Sequence, residues 1–102
     1  MTTPPDLATV RARLAALLPD LREQYAVESL GIFGSYARGE QTPESDLDVL
    51  VDFRTPPTLY TLGGLLLDLK ERLDLPVHLS HTPTLRPALR EAAERDLVPV
   101  EP

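Results

Sequence analysis

Apolar residues near the start of the chain recur at the spacing of a helix. Between Asp6 and Leu18 they stand at Leu7, Val10, Leu14, Leu17 and Leu18, which predicts an amphipathic helix with one buried face. Pro19 lacks an amide donor and disfavours helical geometry at the residue before it. We therefore expect a kinked or two-part helix that breaks or restarts at Pro19 and runs on to about Ala26.

A second helical pattern begins after Thr58, whose hydroxyl suits a helix N-cap. Its apolar positions are Leu59, Leu62, Leu65, Leu66, Leu69 and Leu73. The pair Gly63-Gly64 lowers helix propensity by about 1 kcal/mol per glycine, so we expect close packing at this pair.

A last helical segment is predicted to start at Thr82-Pro83. Its regular part should run from Pro87 to Arg95, because proline is tolerated near a helix start.

Four short segments are predicted to be strands. The runs Glu28 to Phe33 and Val77 to Ser80 are short and apolar, Asp46 to Phe53 alternates between apolar and other residues, and Leu97 to Val100 contains Pro99. Proline suits an edge strand better than a central one, so the last segment is expected at a sheet edge.

The alternating segment places two carboxylates on one face of its strand, because successive side chains point to opposite faces. One face carries Asp46, Asp48, Leu50 and Asp52, and the other, predicted to be core, carries Leu47, Val49, Val51 and Phe53. Asp46 and Asp48 should lie about 6 to 7 Å apart along the strand, given a rise of about 3.3 Å per residue.

Composition limits the class of protein. The 102 residues, 42% of them apolar, suffice for one compact domain and not for two, so a single domain over residues 1–102 is expected. No apolar run is long enough to cross a bilayer, and the first residues lack the features of a signal peptide, which predicts a cytoplasmic protein without membrane contact. The chain has no cysteine, so any metal would be held by oxygen or imidazole ligands.

Charge argues against one class of partner. The net charge is −6, and the basic residues do not cluster along the chain. Binding to a nucleic-acid backbone relies on a basic surface. Long DNA or RNA is therefore not expected as a partner.

Gly34 and Ser35 stand where an apolar strand ends. A glycine there lets a ligand approach the backbone, and the amides of the following turn, with the serine hydroxyl, can donate to anionic oxygens. One helical turn, Ser35 to Arg38, should follow and end at Gly39. These residues suit a phosphate site, but a Gly-Ser pair taken alone is more typical of an ordinary turn between a strand and a helix.

Asp46 and Asp48 repel each other at their spacing unless a cation neutralises them. Mg²⁺ binds carboxylate oxygens and completes its coordination with phosphate and water. The two residues are therefore candidate metal ligands, with a solvated strand end as the alternative.

The combination of these motifs is more specific than either part. GSYARGE, followed by SDLDVLVDF, resembles the pattern of the DNA polymerase β type nucleotidyltransferase superfamily: Gly-Ser, a short helix with Arg-Gly, then Ser-Asp-x-Asp. The small size and the ending LRPALREAAERDLVPV are similar to the minimal nucleotidyltransferases that act as antitoxins of HEPN ribonucleases. The resemblance covers nearly the whole chain and implies an α+β (α/β) fold, a small mixed sheet flanked by helices.

The resemblance assigns roles to four residues. It places Gly34 and Ser35 on the triphosphate of the nucleotide, and Asp46 and Asp48 on Mg²⁺.

Three neighbouring residues have other expected roles. Arg38 either contacts phosphate or pairs with Glu40 or Asp46 to fix the loop. Ser45 is expected to cap the turn and orient Asp46, and Asp52, further along the strand, is expected to be solvated or structural.

The sequence departs from this family on the third strand. The family usually carries a third carboxylate there, and this chain has His78 in Val77-His78-Leu79-Ser80. In phosphoryl transfer that carboxylate helps bind a second ion and can accept the proton of the attacking hydroxyl. Four interpretations of His78 stay open: a replacement base, a ligand that favours Mn²⁺ or Zn²⁺ over Mg²⁺, a sign of lost activity, or a strand-end histidine bonded to backbone.

The resemblance also implies a function. The chain would be a nucleotidyltransferase, dependent on Mg²⁺ or Mn²⁺, that moves AMP from ATP to a tyrosine hydroxyl of a partner HEPN toxin, with which it forms a hetero-oligomer. The displacement would be in line at the α-phosphorus, with pyrophosphate leaving. The alternative is an antitoxin that keeps the fold, has lost catalysis and neutralises its partner by binding and occlusion.

Overall fold

The computed structural model describes residues 3–81 and 87–101. Helices and strands alternate along this part of the chain: α1 (Leu7–Tyr25), β1 (Val27–Phe33), α2 (Ser35–Arg38), β2 (Leu47–Phe53), α3 (Leu59–Leu73), β3 (Val77–His81), α4 (Pro87–Asp96) and β4 (Val98–Val100). The predicted elements are present with bounds shifted by about a residue. The helix start predicted at Thr82-Pro83 lies outside the described residues.

The strands form one mixed sheet in the order β3-β2-β1-β4. β1 pairs antiparallel with β2 and with β4, while β2 and β3 are parallel. Parallel neighbours need a crossover connection, and α3 supplies it. β4 lies at an edge of the sheet, as its proline predicted.

The main core lies between helices α1 and α3 and one face of the sheet. Fully or almost fully buried side chains come from both helices and from β2, namely Val10, Leu14, Leu18, Leu21, Leu47, Val49, Val51, Leu65, Leu69 and Leu73. Each buried leucine or valine stabilises the fold by roughly 2 kcal/mol. The inward face predicted for β2 is confirmed, although Phe53 at its end is only partly buried.

Helix α1 continues through Pro19 as one element, so the predicted division into two helices is wrong, while a kink at Pro19 stays a prediction. Pro19 is exposed, and its ring therefore displaces no core side chain. Leu18 and Leu21, on either side of it, are fully buried. Burial of both halves of the helix against one core outweighs the hydrogen bond that proline removes.

The glycine pair of α3 has two different surroundings. A Cβ on Gly64 would lie 3.5 Å from the Tyr25 ring, which confirms the close packing expected there. A Cβ on Gly63 would meet no atom of the described residues within 4 Å. Close packing at Gly63 is therefore a wrong prediction, because this side of the helix faces away from the core.

On the sheet face opposite the inward side chains of β2 lie its polar positions Asp48 and Asp52, and α4 packs against β1. Leu97, just after α4, packs where Gly31 of β1 has no side chain. None of the helices within residues 3–81 and 87–101 has the length and apolar character needed to cross a membrane.

Candidate functional site

The candidate site lies where β1 ends, beside the first residues of β2. The sheet register pairs Phe33 with Asp48, so the turn at Gly34 lies next to this carboxylate. Gly34 has φ 74° and ψ −150°, a backbone conformation that residues with a side chain rarely adopt. A Cβ at this position would also clash with the Asp48 carboxylate, whose Cγ would be 3.1 Å away. Both the backbone and the neighbouring aspartate therefore require glycine here.

Helix α2 is a single turn with a well-formed end. Gly39 has φ 71°, the Glu40 amide donates to the Ser35 carbonyl at 2.9 Å, and the Gly39 amide donates to the Tyr36 carbonyl at 3.3 Å. This is the Schellman arrangement, and the buried Tyr36 ring anchors it. The first amides of a helix have no intrahelical acceptor, so the turn starting at Ser35 has donors for an anionic ligand.

The two candidate metal ligands differ in exposure. Asp46 precedes β2 and is exposed, whereas the Asp48 side chain, on β2, is 26% exposed. Burial raises the pKa of the Asp48 carboxyl, the negative charge of Asp46 adds to the rise, and His78 and Arg38 oppose it. The two carboxylates are thus near enough to repel each other, as their spacing predicted.

His78 lies opposite Asp48 in the register of β2 and β3. Its Nδ1 is 3.3 Å from Oδ1 of Asp48, and its side chain is 64% exposed. The imidazole therefore faces the carboxylate and solvent, at the place where the resemblance put the third functional group. Its chemical role stays a prediction.

Arg38 is held by two carboxylates. Its Nε lies 2.8 Å from Oε1 of Glu40, and its Nη1 lies 2.7 Å from Oδ2 of Asp96. Asp96 and then Glu40 raise the pKa of the guanidinium. The pair with Glu40 was one of the two interpretations of Arg38. No local pattern in the sequence indicates a contact with Asp96, because only the tertiary fold brings the end of α4 to α2.

Ser45 and Asp52 lie near the site and contact neighbouring parts of the fold. The Thr42 amide donates to Oγ of Ser45 at 2.8 Å, and the Ser45 amide donates to the Thr42 carbonyl at 3.0 Å, so Ser45 caps the turn as expected. Asp52 is half-buried on β2, opposite Ser29 of β1.

The residues present suit a metal bound together with a nucleotide. In the described parts of the chain, no three or more histidine, aspartate or glutamate side chains form a group that could hold a metal ion. Mg²⁺, however, is commonly bound through one or two carboxylates, with substrate phosphates and water completing its shell. Asp46 and Asp48 provide that donor set beside the turn at Gly34.

Comparison with known sequences gives matches that cover most of the chain. A family model described as nucleotidyltransferase domain matches residues 14–100. Protein adenylyltransferase MntA of Thermococcus cleftensis is 36% identical over 92 residues, which are 90% of this chain and 93% of that protein.

Solved structures share the fold. A chain described provisionally as a minimal nucleotidyltransferase superposes with a TM-score of 0.80 at 38% identity, covering 96% of this chain and 99% of that one. A chain in the complex of a tri-AMPylated HEPN toxin of Shewanella oneidensis with MNT antitoxin gives a TM-score of 0.68 at 18% identity, covering 92% of this chain and 71% of that one. The second likeness is one of fold alone. The predicted small mixed sheet flanked by helices is confirmed.

Proposed function

This chain belongs to the nucleotidyltransferase domain family, and from that premise we propose that it is a protein adenylyltransferase. It transfers AMP from ATP to a hydroxyl of a partner protein, a HEPN-family toxin, and acts as the antitoxin of that partner in the cytoplasm.

The observation that carries the proposal is the fit between Gly34 and Asp48. A turn whose first helical amides lack intrahelical acceptors, which suits phosphate, lies directly against a carboxylate suited to Mg²⁺. A nucleotide triphosphate with bound Mg²⁺ offers phosphate oxygens to the turn and a cation to the carboxylate at the same time. An ordinary turn would not require glycine for contact with a strand carboxylate.

Different residues of the site bind the phosphates and the metal ion. The turn at Gly34 and Ser35 binds the β and γ phosphates and orients the triphosphate. Asp46 and Asp48 would hold Mg²⁺, which when bound neutralises phosphate charge and polarises the α-phosphorus. Mn²⁺ is the alternative ion, because it accepts imidazole more readily than Mg²⁺ does.

His78 has a place in the proton transfer. As the acceptor hydroxyl oxygen bonds to the α-phosphorus, the bond to pyrophosphate breaks, and the hydroxyl proton passes to the imidazole. Contact with the Asp48 carboxylate at 3.3 Å orients the ring for this role. Arg38, held by Glu40 and Asp96, would contact phosphate only after releasing one of them.

The identity of the partner is supported by the relatives. MntA, 36% identical over 90% of this chain, is named a protein adenylyltransferase. A protein of the same fold is found in a complex with an AMPylated HEPN toxin. The name of MntA supports a protein acceptor, and the complex supports a hetero-oligomer as the working state.

A second candidate function is neutralisation by binding and occlusion, without catalysis. Two features favour it: His78 stands where the family resemblance leads us to expect a third carboxylate, and Arg38 is paired with the carboxylates of Glu40 and Asp96.

One experiment separates the two candidates. The chain is purified with the protein encoded beside it, ATP and either Mg²⁺ or Mn²⁺ are added, and the partner is weighed by mass spectrometry for an AMP-sized increment. Asp46→Asn is expected to lower the rate by at least roughly 100-fold, as for loss of a group that stabilises transition-state charge, while the complex still forms. Asp52→Asn, which removes the same charge further along β2, serves as the control and should keep the increment. An unmodified partner under both metals would leave occlusion as the function.

A further inference from the structure

Arg38 joins the candidate site to the C-terminal part of the fold. It is the last residue of α2, and its amide donates to the Gly34 carbonyl at 3.2 Å. Its side chain therefore starts one helical turn away from the turn at Gly34. Nη1 of its guanidinium, however, lies 2.7 Å from Oδ2 of Asp96, the last residue of α4. One cation thus connects an element of the site with an element outside it.

The chain that follows Asp96 is anchored by contacts of its own. Leu97 packs where Gly31 of β1 has no side chain, and Nε of Arg11, on α1, donates to the Pro99 carbonyl at 3.0 Å. These contacts attach the C-terminal residues to β1 and α1. The position of the Asp96 carboxylate is therefore set by the sheet and α1, independently of α2.

The Arg38 guanidinium has no edge that is free for a phosphate group. Phosphate is bound most strongly by two parallel N–H groups, either Nε with Nη2 or Nη1 with Nη2. Nε lies 2.8 Å from Oε1 of Glu40, and Nη1 is bonded to Asp96, so a carboxylate occupies one nitrogen of each edge. A triphosphate at the turn obtains a bidentate contact only by displacing one of the two carboxylates.

The geometry favours displacement of Asp96 over displacement of Glu40. Glu40 follows Arg38 by two residues, and its amide donates to the Ser35 carbonyl at 2.9 Å. Glu40 therefore moves together with the turn. Asp96 belongs to a separate element, so a movement of the guanidinium toward Gly34 lengthens the contact with Asp96 first.

We propose that Asp96 competes with the triphosphate of ATP for Arg38. In the free protein Arg38 is bound to Asp96. When ATP binds, its phosphate takes over the guanidinium, and the end of α4 loses its contact with α2. Asp96 therefore lowers the affinity for ATP, and by linkage bound ATP weakens the attachment of α4 and β4. The inference rests on the proposed use of ATP and adds a residue that sets its affinity.

The first test measures ATP affinity by calorimetry, on the full chain with Mg²⁺. Asp96→Asn is expected to tighten ATP binding by roughly 5-fold, a coupling at the weak end of the usual range because the ion pair is partly exposed. Asp20→Asn removes the same charge from the ion pair with Arg72, between α1 and α3, and should bind ATP as the wild type does.

An Arg38→Gln background separates competition from a general effect of charge. In that background Asp96→Asn should leave ATP affinity unchanged, because no guanidinium remains to be shared. The inference is wrong if Asp96→Asn tightens ATP binding equally with and without Arg38, or if it fails to tighten binding when Arg38 is present. The proposed function stands in either case. If the wild-type chain binds no ATP, both fail.

Hydrogen exchange tests the coupling in the wild-type chain, without any substitution. Saturating ATP is expected to speed exchange of the amides in α4 and β4 several-fold, because loss of the Asp96 contact makes local opening of this segment easier. The amides of α3 serve as the control and should exchange no faster. Exchange in α4 and β4 that stays constant or slows on addition of ATP would overturn the proposal.

Discussion

Gly34 and Gly39 flank the same helical turn with similar positive φ angles, 74° and 71°, yet their surroundings differ. A Cβ at Gly34 would clash with the Asp48 carboxylate, whereas at Gly39 it would meet none of the described atoms within 4 Å. A side chain would therefore strain the backbone at both positions, but only at Gly34 would it also clash with a residue of the candidate site.

Alanine at each glycine should reveal this difference. Gly39→Ala is expected to lower the free energy of unfolding by about 1 kcal/mol, through backbone strain, and to leave transfer activity intact. Gly34→Ala should cost about 2 to 3 kcal/mol, because strain is joined by the clash, and should abolish transfer by displacing Asp48. Urea unfolding and the mass increment on the partner measure the two effects. Equal losses of activity in both variants would contradict this account.

Asp48 makes stability depend on pH. Burial raises its native pKa, so the native state holds the proton more tightly than the unfolded chain, where aspartate titrates at about 3.9. The stabilising contribution is therefore complete below the unfolded pKa and is lost as pH rises through the native pKa.

Asp48→Asn should accordingly be more stable than the wild type at neutral pH, by up to about 1 kcal/mol. The advantage should shrink as pH falls toward about 4. Urea unfolding across this range measures it, and Asp52→Asn accounts for removing one negative charge from a chain of net charge −6. A variant less stable at neutral pH would mean that the His78 contact outweighs the cost of burying the charge.

Among the elements, α1 shows tertiary burial overriding local preference. Its proline is exposed, while the leucines on both sides lie in the core. The sequence indicated the apolar face correctly, but it could not show that both halves of the helix pack on the same core. A helix broken at Pro19 and a continuous helix would show the same spacing of apolar residues.

Pro19→Ala should stabilise the protein. Alanine gains about 3 kcal/mol of helix propensity over proline, and the more flexible unfolded chain returns about 1 kcal/mol of this gain. We expect the free energy of unfolding to rise by about 1 to 2 kcal/mol on urea titration. Pro56→Ala, in the loop before α3, is the matched control and should give no increase. If the free energy of unfolding does not rise in Pro19→Ala, then Pro19 does not destabilise helix α1.

The caps and strands were the most predictable elements. The Thr61 amide donates to Oγ1 of Thr58 at 3.1 Å, as the N-cap prediction required, and the alternation of β2 defined its buried face. The glycine pair of α3 was half right, because residue identity does not tell which side of a helix the core covers at Gly63.

At the scale of the whole molecule, the order of the strands in the sheet brings the residues of the candidate site together. β2 and β3 are distant in sequence, and their parallel register alone sets Asp48 against His78. Periodicity predicted each strand but not their pairing, so the neighbourhood of His78 was foreseen through resemblance. The Arg38 contact with Asp96 had no such guide, because it depends on how α4 returns to the sheet. The exclusion of long nucleic acid, drawn from net charge, stays a prediction.

The contact between Asp48 and His78 also has a genetic meaning. Histidine and aspartate codons differ only in their first base, so a single point mutation would place a carboxylate opposite Asp48 without altering the register or the fold. A site with histidine at position 78 and a site with the third carboxylate that the family resemblance describes therefore differ by one base change. A population can pass between the two forms in one step, and selection on the proposed transfer activity would act on that base.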